Sequence, residues 1–95
     1  MSMADFLNLK ELEMTIERAR ACIADAERTE NSLATQVDAA ILAAVNLESF
    51  ATKDPLIAEY LVLKYERPLG DAELAAYLAH ALSLAKTLLS LREQS

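Results

Sequence analysis

This chain of 95 residues has one glycine, one cysteine and two prolines. One glycine cannot supply the tight turns that many short strands need, which excludes a β-sandwich or barrel. It also excludes a glycine-rich phosphate loop. One cysteine rules out a disulfide scaffold and fits a reducing compartment. With Cys22 and His80 as the sole thiol and imidazole, a protomer has too few ligands for a structural zinc site. The repeated Glu-x-x-His elements of di-metal bundles are also missing. No metal and no cofactor are expected.

Basic residues are scarce too. Fifteen acids face nine bases, for a net charge of −6. Residues 1–48 hold nine acids and four bases, and residues 49–95 hold six and five. Nothing clusters Lys and Arg on one face as nucleic-acid binding requires, and an anionic membrane surface is disfavoured. The acids of the first half are interleaved with Arg18, Arg20 and Arg28, so they form no continuous rail that would mimic DNA. No run of 18 consecutive apolar residues is present, and Met1-Ser2-Met3-Ala4-Asp5 has no basic start followed by an apolar stretch. A cytoplasmic protein with no nucleic-acid or membrane partner is expected.

What the chain has in quantity is alanine and leucine, 35 of its 95 residues, within a hydrophobic fraction of 54%. That is too apolar for disorder and points to one all-α domain over residues 1–95. Thr52-Lys53-Asp54-Pro55 reads as a helix stop followed by an Asp N-cap with Pro at the first helical position. Arg67-Pro68-Leu69-Gly70-Asp71 reads as a second turn, with Asp71 capping the next helix. Three helical segments follow, roughly 5–51, 55–66 and 72–93.

The first segment carries a heptad seam. Leu9, Leu12, Ile16, Ala19, Ile23, Ala26, Glu30, Leu33, Val37, Ala40, Ala44 and Leu47 fall at alternating steps of three and four, the coiled-coil pattern of a helix packed lengthwise on another. Unbroken phase favours one long helix. Thr29-Glu30-Asn31-Ser32, a polar run of poor helix formers holding the one polar seam position, is where it would break, and a break would make a four-helix bundle. Residues 33–50 are apolar nearly all round, which places them at the centre of the fold or of an assembly. The last segment has two stripes, one of Leu74, Tyr77, Ala81, Leu84, Leu88 and Leu91 and one of Leu78, Leu82, Ala85 and Leu89, wide enough for two neighbours. A 45-residue helix would be roughly 68 Å long against about 33 Å for the last one. A continuous first helix would therefore leave seam uncovered, and oligomerisation, a dimer above all, would complete the bundle.

The residues expected at an interface with a second copy or a partner protein are Leu9, Leu12, Ile16, Ile23, Leu33, Val37, Leu84, Leu88 and Leu91. Cys22 reads as a small half-buried side chain packed between helices. Ala79-His80-Ala81-Leu82 resembles a phosphotransfer helix, but such helices place Lys-Gly soon after the histidine, and here Ser83 stands third and no glycine follows. Catalytic residues are not expected. A second reading is an oligomeric binder of a nucleotide or other small anion, because Tyr60, Lys64 and Arg67, with His80, combine aromatic rings and cations that can stack on and neutralise one. The first reading is a non-enzymatic helical interaction module of the adaptor, co-chaperone or inhibitor kind.

Overall fold

A computed structural model describes residues 2–94, with side chains for residues 2–3 and 13–94. The described residues form α1 (Met3–Ala26), α2 (Leu33–Leu47), a 3₁₀ turn (Ser49–Lys53), α3 (Pro55–Glu66) and α4 (Asp71–Gln94). The seam therefore does not run on one helix. The longest dimension of the molecule, 51 Å, is shorter than the roughly 68 Å that a continuous helix over 5–51 needs. The chain takes the broken form, and the break falls at the polar run.

The chemistry of residues 27–32 explains the reversal. Ser32 has extended backbone angles and its Oγ accepts from the Thr35 amide at 3.2 Å, which starts α2. The carbonyls at the end of α1 find side-chain donors in the turn and beyond it. Asn31 Nδ2 donates to the Asp25 carbonyl at 3.2 Å, and Gln36 Nε2 donates to the Ala26 carbonyl at 2.9 Å. Gln36 is the buried polar residue of the core, so this bond forms where water cannot substitute for it.

The heptad seam is real, but it folds back on itself. Ala19, Ile23 and Ala26 of α1 are buried together with Val37, Ala40, Ala44 and Leu47 of α2. Alanines at these positions, with Ala43, Ala81 and Ala85, let helix axes approach closely. The helices run up-down-up-down. Lys86 reaches Glu27 and Arg20 reaches Glu93, so α4 is antiparallel to α1. Arg92 Nη2 donates to the Leu47 carbonyl at 2.6 Å, so α4 runs alongside α2. As expected, α2 occupies the centre, packed on α1, α4 and the 3₁₀ turn, but the stretch is not covered all round: Leu42 and Phe50 are exposed.

Two further readings change. Asp71 is the first residue of α4 rather than its cap: Leu74 donates to the Gly70 carbonyl, and Glu73 Oε1 accepts from the Gly70 amide at 3.3 Å, half of a capping box. By length and composition alone, α4 is long and apolar enough to cross a membrane, which counting consecutive apolar residues did not register. In this fold its Leu74, Ala81 and Ala85 are buried in the core. Helix length does not call for oligomerisation, because α1 finds its partners in α2 and α4.

Replacing Gln36 by Leu leaves the Ala26 carbonyl buried without a donor, and should lower the unfolding free energy by about 1–3 kcal/mol. Ser32→Ala should cost about 1 kcal/mol. Urea unfolding followed by circular dichroism measures both; a Gln36→Leu variant as stable as the parent would contradict this account of the hairpin.

Candidate interaction face around the third helix

Helix α3 begins as the sequence predicts. Asp54 Oδ1 accepts from the Leu56 and Ile57 amides at 3.0 and 3.2 Å, and Pro55 opens the helix. Its contacts run antiparallel to both α2 and α4. Tyr60 and Lys64 reach Asp38 on α2, the Tyr60 hydroxyl donating at 2.9 Å and the Lys64 ammonium at 3.4 Å. On the α4 side, Asp54 Oδ1 lies 2.8 Å from His80 Nε2, which requires a proton on that nitrogen. The Tyr77 hydroxyl donates to Glu59 at 2.6 Å. Arg67 holds Glu73 through two bonds of 2.9 and 2.7 Å. The Tyr60 and Tyr77 rings stack with centroids 5.4 Å apart.

These links shift the groups that make them. Burial, then the Asp38 carboxylate beside it, pushes the Tyr60 phenol up to about 12. The hydrogen bond to Glu59, with burial, raises Tyr77. Glu73 is pulled down to about 2, first by Arg67 and then by the Gly70 amide, and Arg67 is raised in turn by Glu73. At Asp54 burial acts upward, but the Ile57 amide, His80 and the Leu56 amide together outweigh it and leave the carboxyl lowered.

Magnitudes decide what holds α3 in place. Only Ile57 and Tyr60 of this helix are buried, each 2% exposed. Full burial of such side chains contributes roughly 1.5–3 kcal/mol apiece, whereas solvent-exposed ion pairs contribute about 0–1 kcal/mol. The two apolar anchors hold the helix and the polar links orient it. The opposite side stays open. At 100° per residue, Ala58, Val62 and Tyr65 share the outward stripe, and Val62 and Tyr65 are 57% and 85% exposed. Phe50, in the 3₁₀ turn before α3, is exposed as well, with the Lys53 ammonium 4.9 Å from its ring centroid.

The residues singled out from the sequence are divided by the fold. Tyr60, Lys64 and Arg67 do come together, around a pocket of about 200 Å³ completed by Ala34, Pro68, Leu69 and Leu74. Lys64 and Arg67 are already paired with Asp38 and Glu73, so the pocket carries no spare positive charge. His80 is not part of it. It faces the N-terminus of α3 at a filled cleft with Ile41, Ile57 and Ala81.

Of the expected interface residues, Ile23 and Val37 are buried in the chain's own core and are closed to a partner, because the hairpin covers them. Ile16, Leu33, Leu84 and Leu88 are half-buried, and Leu91 is 59% exposed. Leu9 and Leu12 lie outside the residues whose side chains are described. Cys22 is half-buried against the second core cluster, and burial together with the Asp25 charge raises its thiol pKa, away from the reactive thiolate.

Sequence reasoning did not find the outer stripe of α3 or the role of Asp38 as a shared acceptor. The stripe was legible as apolar residues at i, i+4 and i+7 in a helix with apolar residues on its other side too. Asp38 gave no signal, because its partners lie 22 and 26 residues away. Among the described residues no three carboxylate, thiol or imidazole groups converge. No family model, curated protein or solved structure matches the chain.

Because Glu73 and Asp54 are held low in the fold, their contribution to stability is present above the ordinary carboxylate range and disappears as pH falls from about 4.5 through about 2. Thermal melts between pH 7 and pH 2 should show the melting temperature falling across that window, and Glu73→Gln should shrink the fall. An unchanged acid limb in that variant would remove the Arg67–Glu73 pair from the account.

Proposed function

We propose that this protein is a small non-enzymatic helical interaction module, of the adaptor, co-chaperone or inhibitor kind, that binds a partner protein, a second copy of itself, or both. The observation that carries this reading is α3, a helix apolar on two sides and covered on one. Exposed apolar side chains gathered on one element favour association, because covering them removes apolar surface from water. The raised Cys22 thiol and the engagement of His80 by Asp54 leave little for a catalytic reading to work with. The surface that binds is then the outer side of α3, with Leu91 near the far end of α4, rather than the heptad seam.

The second reading, an oligomeric binder of a nucleotide or small anion, draws on the pocket of Tyr60, Lys64 and Arg67. It would need Lys64 and Arg67 to exchange their carboxylate partners for the ligand.

The double variant Val62→Asp/Tyr65→Asp separates these readings. Both side chains are exposed, so stability should change by no more than about 0.5 kcal/mol per site. Capture of a stoichiometric protein partner from the native host, or self-association in sedimentation velocity, should be lost. Undiminished capture and assembly in the folded variant would overturn the α3 surface. A rise in the parent's melting temperature with nucleotides, abolished by Arg67→Ala, would transfer the case to the pocket.

A further inference from the structure

The outer stripe of α3 has an acidic edge. At 100° per residue, Glu59 and Glu66, seven residues apart, follow one another along the side of the Ala58–Val62–Tyr65 stripe away from Tyr65. Both are exposed. Glu59 accepts from the neutral Tyr77 hydroxyl, and Glu66 has no ion-pair partner among the described residues, where the ion pairs engage Arg20, Arg28, Lys64, Arg67, His80 and Lys86. The chain as a whole remains at −6. Glu66 acts on the neighbouring Arg67, whose bonds go to Glu73. An apolar stripe whose flanking carboxylates hold no bonded cation is complementary to one kind of surface: aliphatic side chains flanked by cations.

We infer that the occupant of this face is a basic amphipathic helix of a partner protein, with aliphatic residues at i, i+3/i+4 and i+7 and Lys or Arg seven residues apart on the edge that meets Glu59 and Glu66. The inference rests on the interaction-module reading and names its partner. Helix-on-helix docking suits the dimensions, since α3 has 12 residues and is about 18 Å long. A second copy of the chain fits less well. An antiparallel two-fold arrangement of α3 against itself keeps each edge on its own side and sets Glu59 of one copy against Glu66 of the other. A parallel arrangement sets the acidic edge against Tyr65 and Leu61. Neither supplies a cation, and like charges facing each other oppose association. The net negative field of the protein steers a basic partner toward it.

Two 14-residue peptides with the same leucine spacing, one carrying lysine and the other glutamate at its polar positions, test this on the full chain by NMR titration. The lysine peptide should shift the amides of Ala58, Val62 and Tyr65, with an affinity that falls as salt rises, and the glutamate peptide should not bind. Glu59→Gln/Glu66→Gln should weaken the lysine peptide by about three- to tenfold. Glu13→Gln/Glu17→Gln, the same charge change on exposed positions of α1, should leave it unchanged. Equal weakening by both pairs, shifts centred away from α3, or binding of both peptides alike would overturn the basic-helix partner. If neither peptide binds but the parent self-associates and Val62→Asp abolishes it, the face belongs to a second copy: this inference falls and the interaction reading stands. If there is neither peptide binding nor self-association, and Val62→Asp/Tyr65→Asp still captures the host partner, the α3 surface itself falls.

Discussion

A helix that ends inside a protein leaves its last carbonyl oxygens without amides to accept from. The usual remedy is a glycine in the left-handed conformation, which turns the chain back over its own terminus. This chain has one glycine, and no described residue has positive φ. Two of its helix ends are instead closed by side chains from other elements: Gln36 of α2 for the end of α1, Arg92 of α4 for the end of α2. The up-down-up-down arrangement depends on this substitution. The cap of each of these helices is also a tertiary contact, so neither terminus is satisfied until its neighbour is docked.

The bundle consequently has two kinds of interface. Around α2, small side chains, the buried Gln36 cap and the part-buried Arg92 clasp make a close-packed contact with α1 and α4. Around α3, two buried side chains anchor a helix that is otherwise aligned by phenols, carboxylates and cations. Asp38 receives both Tyr60 and Lys64, while Asp54 caps the helix and meets His80 with one and the same oxygen. Such polar links fix orientation more than they add stability. They hold the outer stripe of α3 at a set angle to the bundle, which is what a docking surface requires.

Much of the architecture was legible in the residues. The scarcity of glycine excluded strands, Asp54-Pro55 marked the start of α3, and the apolar run after Ser32 marked the central helix. The seam was also legible, but its direction was not, because a turn of six residues happens to carry the heptad phase from Ala26 to Leu33 across the reversal. The decisive feature was a hydrogen bond between a side chain and a carbonyl ten residues apart, and helical periodicity does not encode that. The same limit applies to the candidate site. Tyr60 and Lys64 of α3 and Arg67 at its C-cap meet around one pocket, and their nearness in sequence made that legible, while the partners that neutralise Lys64 and Arg67 lie on other helices. The exposed stripe was overlooked because an apolar residue in an apolar helix reads as core until the neighbours are counted.

The clasp between Arg92 and the Leu47 carbonyl spans 45 residues of sequence. During synthesis the chain emerges from its N-terminus, so the hairpin of α1 and α2 can close early while the far end of α2 stays open. Its carbonyl can be claimed only after nearly the whole of α4 has been made. Until then the side of α2 that α4 will cover stays bare at Leu47 and the alanines around it, and the nascent chain presents a sticky edge to whatever is near. The fold is thus locked from its last turn backward, and the maturity of the molecule can be read from a single guanidinium.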